Sequence, residues 1–375
     1  MFLTLTSGLV LIYVLGRLVA PLPWGRKAKI ALGLGLALLS QYHLGLRMLG
    51  LIFAAEWPWP VLAGVSWLFL TFTLLLPLLL ARDLGRLVWG LARRAWLPRP
   101  TGREAAAVAG LALLLAAYGL YEAVIPPMVT RQEVFLANLP PEWDGLTIVQ
   151  ISDLHASPLL TGPRVQRVVE LANAEKPNLI VLTGDIIDGS VARRARDVAP
   201  LRDLRATHGV YGCPGNHEYY SGYQDWMAAL ADLGLVMLRN SHLRLEKNDR
   251  PLVLAGVTDE AARRYHLPGP DFQAALAGSP REATRILLAH RPDLAPAAAL
   301  AGFDLQLSGH THGGQLSILK PLTGLRNGGF VSGWYNLGAL QLYTSAGAGL
   351  WNGFPIRLGV PSEIVSLVVR SGRPK

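Results

Sequence analysis

The sequence predicts an N-terminal α-helical transmembrane region of about four spans, joined to an α/β domain with more strands than one sheet holds. Three observations predict it. Hydrophobic residues make up 51% of the 375 positions and charged residues only 16%, a balance too apolar for a wholly soluble chain. The apolar stretches crowd into the first third of the chain, and after Pro126 and Pro127 the pattern changes to short β-branched runs alternating with helical stretches. The expected division is therefore a helical region over residues 1–127 and a globular domain over 128–375.

A helix needs about 20 mostly apolar residues to cross a bilayer. Four stretches approach that length: Phe2 to Ala20, Ile30 to about Ala54, Val61 to Leu80, and Ala105 to about Ile125. The first lacks the basic start and small-residue cleavage site of a signal peptide, so it reads as a retained anchor. The second is interrupted by Gln41, His43 and Arg47, and His43 is expected to be a helix-packing or interfacial residue rather than part of a proton or ligand site. Between the third and fourth stretches, "ARDLGRLVWGLARRAWLPRP" reads either as a short helix on an anionic membrane surface or as a solvated basic loop.

Charge is unevenly placed: residues 1–127 carry 11 Lys/Arg against 4 Asp/Glu, the remainder 24 against 22. The basic character belongs to the apolar region, so no nucleic-acid partner is expected. Arg26, Lys27 and Lys29 follow the first stretch, and Arg82, Arg86, Arg93, Arg94, Arg99 and Arg103 follow the third, which places both links in the cytoplasm by the positive-inside rule. With four spans the globular domain is then extracytoplasmic, on a multi-pass protein of the cell membrane. The single cysteine, Cys213, excludes an intrachain disulfide and reads as a small buried hydrophobe.

In the second region "LTIVQIS", "NLIVLTG", "RILLAH", "FDLQLSGH", "LQLYTS" and "IVSLVV" read as strands, "VQRVVELANAE" as a helix, and "LRLEKNDRPLVLAGV" as a hairpin turning at Asn248-Asp249. So many strands in one domain suggest two sheets. The polar residues suited to chemistry sit just past strand ends, where α/β sheets build their sites: Asp153 and His155, Asp185 and Asp188, Asn216 with His217 and Glu218, His290, and His310 with His312. On extended chain a D-x-H or H-x-H pair throws both side chains to one face. Taken singly, each cluster has an ordinary reading as a turn, a helix cap or a satisfied core histidine. Together Asp153, His155, Asp185, Asn216, His290, His310 and His312 make a thiolate-free ligand set for borderline-to-hard divalent ions, too large for one ion and suited to two bridged by a carboxylate, with Asp185 midway in the set.

The blocks "DLH", "GDIID", "GNHE", "AH" and "GHTH" stand in the order of the signature of the calcineurin-like metallophosphoesterases, and the chain resembles that family from about Leu146 to about Val369. The closing "LYTSAGAGLWNGFPIRLGVPSEIVSLVV" looks like the tail of its membrane-anchored bacterial branch. The resemblance implies two mixed β-sheets sandwiched between helices. It implies one metal on Asp153, His155, Asp185 and His312, a second on Asp185, Asn216, His290 and His310, and a bridging hydroxide that attacks a phosphate ester in line, with His217 protonating or stabilising the leaving oxygen. Mn is the expected metal, with Fe, Zn or Co also compatible. Glu218 stands where other branches have Asp, and Ala346 where some relatives carry an Arg that would touch substrate phosphate. Arg291 is a candidate phosphate clamp and Asp188 a candidate ligand-orienting residue.

The function expected is a membrane-anchored phosphohydrolase acting on a phosphodiester or related ester, lipid-linked or in the envelope, with membrane lipids as neighbours. The alternatives are a UDP-2,3-diacylglucosamine pyrophosphatase-type hydrolase, which needs a cytoplasmic domain, and a non-catalytic metal-bound binding module.

Overall fold

The computed structural model describes residues 2–49, 56–94 and 100–372. The chain forms two compact units, one of Met1–Tyr121 with Gly353–Ile356 and one of Glu122–Asn352 with Arg357–Lys375.

The first unit is helical. Helix α1, Phe2–Val14, runs on through a wider π-helical turn, Leu15–Val19. The second expected span is broken at Gln41 into α2, Arg26–Ser40, and α3, Tyr42–Met48, and its end at residues 50–54 lies outside the described residues, as does Arg99. His43 serves packing: its Nε2 donates to the Gly353 carbonyl at 2.9 Å, and its ring meets Phe69 edge-on at 4.8 Å.

The third expected span belongs to a helix nearly twice its length, α4, Trp59–Arg93. As far as Arg93 the basic stretch after Leu80 continues this helix rather than forming a separate surface helix or a loop, and residues 95–99 lie outside the described residues. No proline follows Pro77 within the helix, and the polar residues entering at its middle are satisfied in place. Asp83 accepts from Tyr13 Oη at 2.6 Å, Arg17 Nε at 2.5 Å and Arg82 Nε at 2.9 Å, so the helix need not end to solvate them. Helix α5, Gly102–Val124, starts in a capping box, with Thr101 N donating to Glu104 Oε2 at 2.6 Å and Glu104 N to Thr101 Oγ1 at 3.2 Å. Among the described residues two helices, α4 and α5, are long and apolar enough to cross a membrane, against the four spans expected.

Among its described residues the second unit holds twelve strands: β1 Met128–Leu136, β2 Leu146–Ile151, β3 Leu179–Thr183, β4 Val210–Cys213, β5 Val236–Met237, β6 Ser241–Lys247, β7 Arg250–Gly256, β8 Thr284–Leu288, β9 Leu305–Ser308, β10 Gly333–Leu337, β11 Leu340–Thr344 and β12 Glu363–Ser371. They form two six-stranded mixed sheets, ordered β1-β12-β2-β3-β4-β5 and β10-β11-β9-β8-β7-β6. The β6–β7 turn falls at Asn248-Asp249, both at positive φ (50° and 60°) as a tight two-residue hairpin requires.

Ile148, Leu179, Val181, Leu254, Ile286, Leu307 and Leu367 pack between the sheets. The outer face of the first sheet is covered by α6, Gly162–Ala174, and α7, Val191–Val198, and, past α8, Asn216–Tyr220, by α9, Tyr223–Asp232; Val165, Val168, Val198, Trp226 and Leu230 supply the contacts. Helices α10, Phe272–Leu276, and α11, Ala295–Ala301, cover the second sheet with Ala275, Ala295 and Ala298. The central strands are buried on both faces, which is why they read as continuous apolar runs rather than alternating ones. This sandwich points the carboxyl ends of β2, β3, β4, β8 and β9 at a common rim.

Candidate metal centre

Each expected site residue lies just past one of those strand ends. Asp153 and His155 follow β2, Asp185 and Asp188 follow β3, Asn216 and His217 open α8 after β4, His290 follows β8, and His310 and His312 follow β9. The extended-chain argument for the paired residues is overturned. Asp153, His155, Asp185, His310 and His312 all adopt left-handed backbone, with φ between 46° and 70°. Both pairs still converge, because the turn rather than strand alternation aims them.

Such conformations cost roughly 1–3 kcal/mol each for non-glycine residues and persist only where neighbours over-determine them. Here the neighbours are hydrogen bonds between the loops. Asp153 N donates to Gly184 O at 3.1 Å, His155 N to Asp185 O at 3.0 Å, and Gly309 N to His290 O at 2.9 Å. Glu218 ties two loops at once by accepting from the backbone N–H of Asp185 (3.0 Å), Ile186 (2.7 Å) and Gly215 (2.6 Å). Nothing in the sequence reading gave Glu218 that role. Its spacing from Gly215 was the available signal, since a Glu three residues past a cap closes a capping box.

Two glycines are required by close approach. A Cβ at Gly309 would collide with Ser152 Oγ and Asp153 Oδ2, and one at Gly215 with Asp185 Oδ1. Carboxylates and backbone thereby come within contact distance.

Among the described residues three groups of side chains place ligand-type atoms close enough to share an ion: Asp153 with His155 and His312, His155 with Asp185 and His217, and Asp185 with His290 and His310. Asp185 Oδ2 lies 3.1 Å from His290 Nε2, 3.8 Å from His155 Nε2 and 3.9 Å from His217 Nε2, so this carboxylate belongs to two of the groups. His312 Nε2 is 3.5 Å from Asp153 Oδ1, and His310 Nδ1 is 3.2 Å from His290 Nε2.

Orientation of the rings fits a metal. His290 Nδ1 donates to the Thr183 carbonyl at 2.8 Å, which turns Nε2 toward Asp185. His155 Nδ1 is held by Asp188 Oδ1 at 3.2 Å, and its buried Nε2 has no hydrogen-bond partner. A buried, unpartnered imidazole nitrogen whose sister is fixed by a carboxylate is what a metal-ligating histidine presents. Asn216 enters by another route: its Oδ1 accepts from Arg291 Nη2 at 3.2 Å, and Arg291 Nη1 lies 2.9 Å from His310 Nε2. Arg291 also pairs with the buried Asp259 at 2.8 Å, a partner the sequence reading missed.

Asp188 Oδ1 holds a second ring, His217 Nδ1, at 2.5 Å, and His217 N donates to Asp185 Oδ1 at 2.8 Å. Burial would lower the His217 pKa, but the Asp185 and Asp188 carboxylates raise it to about 9. Burial would likewise lower His290, yet Asp185 and Asp153 raise it to about 10. Burial pushes Asp188 up, and the facing His155 and His217 hold it at about 2. Asp185 follows the same pattern, burial being outweighed by His290 and His217, which hold it well below the usual carboxylate range. His310 and His312 go the other way: burial lowers both, helped by Arg291 at His310 and by His155 at His312.

Two further expectations fall outside the cluster. Cys213 is fully buried in β4, and burial raises its pKa well above that of an exposed thiol, as suits a core hydrophobe. Ala346 is buried, its N–H donating to Glu363 Oε1 at 2.9 Å, and the nearby Arg357 is spent on the carbonyls of Ala346, Gly347 and Gly349.

A family model described as calcineurin-like phosphoesterase matches residues 146–314, the span that carries every residue of the cluster. The chain is 36% identical over 266 residues to a Danio rerio protein named "Transmembrane protein with metallophosphoesterase domain", covering 68% of this chain and 60% of that one. It is 34% identical over 263 residues to an uncharacterized metallophosphoesterase of Helicobacter pylori (strain J99), covering 69% of each, and 31% identical over 282 residues to one of Bacillus subtilis (strain 168), covering 72% of this chain and 96% of the relative. The chain spans 60% of the length of the Danio rerio and Bos taurus relatives it matches. Domain, loop order and extended similarity agree, and the chain belongs to the calcineurin-like phosphoesterase family.

Proposed function

We propose that this chain is a membrane-anchored dinuclear-metal phosphohydrolase that cleaves a phosphodiester or related phosphate ester, and that its substrate is lipid-linked or part of the envelope. The observation that carries the reading is Asp185, whose one carboxylate oxygen faces imidazoles of two of the three ligand-type groups. On this reading Asp153, His155, Asp185 and His312 hold one ion, and Asp185, Asn216, His290 and His310 the other, Mn being the expected metal. Two such ions supply Lewis acidity that activates water near neutral pH and offsets charge on the phosphoryl oxygens.

The chain's own residues do the rest. His217, positioned by Asp188 and kept cationic by Asp185, offers a proton to the leaving oxygen. Arg291, held by Asp259, presents its guanidinium beside Asn216 and His310, where it suits a phosphate oxygen.

The membrane assignment rests on α4 and α5, the further apolar stretches near residues 2–20 and 30–54, and the asymmetry of Lys and Arg between links. On the four-span reading the domain from residue 128 onward is extracytoplasmic. Anchoring raises the effective concentration of a substrate that shares the bilayer. An extracytoplasmic domain also disfavours a nucleotide-linked acyl sugar, which is made in the cytoplasm.

The test is a hydrolysis panel with purified full chain and added Mn: bis(p-nitrophenyl) phosphate, p-nitrophenyl phosphate, a UDP-linked acyl sugar and a phospholipid. Turnover of the diester that is lost in Asp185→Asn, together with bound metal, is expected. Metal bound without turnover of any substrate refutes the hydrolase and leaves a binding module. A C-terminal alkaline phosphatase fusion is expected to be active, and an inactive fusion refutes the orientation.

A further inference from the structure

The loop that follows His312 leads into a segment whose apolar side faces the wrong way for a soluble domain. A 3-10 turn, Ser317–Leu319, runs into α12, Lys320–Arg326. Gly324 and Asn327 face inward: a Cβ at Gly324 would touch Val331, and Asn327 Nδ2 donates to the Thr323 carbonyl at 2.8 Å. Ile318, Leu322 and Leu325 face outward, 70%, 52% and 84% exposed. With the exposed Pro321 they recur at i, i+3, i+4 and i+7, one continuous stripe on a helical surface. Single exposed leucines are ordinary, but a contiguous stripe opposite a small and polar buried side is not.

Charge says what covers it. Lys320 and Arg326 are exposed and flank the stripe, and from residue 305 to residue 362 the sequence contains no Asp or Glu. The segment therefore offers aliphatic side chains and cations with no acidic residue of its own; the Asp293 side chain packs near Gly328, past the end of α12. An acidic protein partner would use the charges but leave the aliphatic stripe without depth to enter. A second copy would bring Lys and Arg against Lys and Arg. An anionic bilayer surface takes both, the aliphatic side chains entering below the headgroups and the cations staying among them.

We propose that residues 317–326 form a membrane-docking face of the phosphoesterase domain, specific for anionic lipid. The face abuts the candidate metal centre, because a Cβ at Gly314 of the His310–Gly314 loop would lie 3.2 Å from Lys320 Cα. Docking therefore holds the candidate metal site within reach of a phosphate ester at headgroup depth. This inference rests on the membrane-anchored reading above, and its test separates the two.

The only cysteine, Cys213, is buried, so an added surface cysteine is labelled selectively. The full chain carrying Leu322→Cys, labelled with an environment-sensitive fluorophore, is reconstituted in phosphatidylcholine vesicles with or without phosphatidylglycerol. Asp249→Cys, at the exposed β6–β7 turn, is the control. Expected are a blue-shifted emission at 322 and quenching by lipids with chain-borne quenchers, both stronger with phosphatidylglycerol and absent at 249. Lys320→Glu with Arg326→Glu is expected to remove the phosphatidylglycerol dependence.

Equal emission and quenching at the two positions overturns the docking face, as does quenching at 322 that ignores phosphatidylglycerol. Energy transfer between labelled chains that persists in detergent assigns the stripe to a second copy and also overturns it. Flotation scores anchoring separately: wild-type chain that stays at the bottom of the gradient overturns the anchored reading and this inference with it. Chain that floats with an unquenched label at 322 overturns this inference alone.

Discussion

Asp188 is the residue whose substitution separates the two halves of the site. One oxygen holds two imidazoles that have different roles on the proposed reading: His155, a candidate ligand, at 3.2 Å and His217, the candidate proton donor, at 2.5 Å. Asp188→Asn keeps the shape but removes the charge from both bonds, each a charge-assisted hydrogen bond worth about 1.5–3 kcal/mol. Through His155 the change should weaken metal binding about 10–100-fold, the range for a residue that orients a ligand. Through His217 it should lower turnover at saturating metal by about 10–100-fold, since a disoriented, less cationic imidazole loses most of what general-acid assistance contributes. The assays are calorimetric Mn titration and kcat for bis(p-nitrophenyl) phosphate with Mn in excess. A double-mutant cycle with His217→Ala isolates the second effect: in that background Asp188→Asn should cost less than about threefold in kcat while still weakening Mn. If Asp188→Asn lowers kcat as much without His217 as with it, the carboxylate acts by a route other than positioning that ring.

Other substitutions read the scaffold. Glu218→Gln leaves one amide oxygen to serve three buried N–H groups, and each donor left unmet costs about 1–3 kcal/mol. The metal-free Tm should fall by about 2–4 °C per kcal/mol lost, and an unchanged Tm refutes the tie between loops. Gly309→Ala drives a methyl into Ser152 and Asp153, so metal content by mass spectrometry should drop while circular dichroism stays native; a full metal load refutes the close-approach argument. His290, raised to about 10, carries a proton at pH 8 that a ligand must give up, so Mn titrations in two buffers of different ionisation enthalpy should differ in heat; equal heats refute it.

The parts of the fold legible in the sequence were those whose signal is local. β2, β3 and β8 are buried on both faces and announce themselves as apolar runs, and the β6–β7 turn is set by Asn-Asp. β1 was not legible. Its "MVTRQEVFL" is half polar because it is an edge strand, and its pairing partner, β12, begins at Glu363, more than 200 residues on. The helical unit was misread in a related way: hydropathy measures whether a stretch can span, but α4 continues to Arg93 because Asp83 finds Tyr13 and Arg17 from another helix.

For the site, residue types and order were enough to name every side chain of the three ligand-type groups, though not Asp259 beside them, yet the stated geometry behind two of the pairs was wrong. Period-two alternation would put His310 and His312 on one face about 6–7 Å apart along the strand, with both rings pointing the same way. The left-handed residues of the turn separate them, so that His310 Nδ1 meets His290 while His312 Nε2 meets Asp153, on either side of Asp185. The two histidines of one tripeptide still go to two different groups, but a positive-φ turn rather than strand alternation sends them there. The strain is stabilised across blocks: Glu218 and Gly215 of "GNHE" act on the loop after β3, Gly309 of "GHTH" lies against Asp153, and carbonyls of neighbouring loops accept from Asp153 and His155. Each of those contacts joins residues far apart in the sequence, so the motif names the candidate ligand types and only the fold groups them.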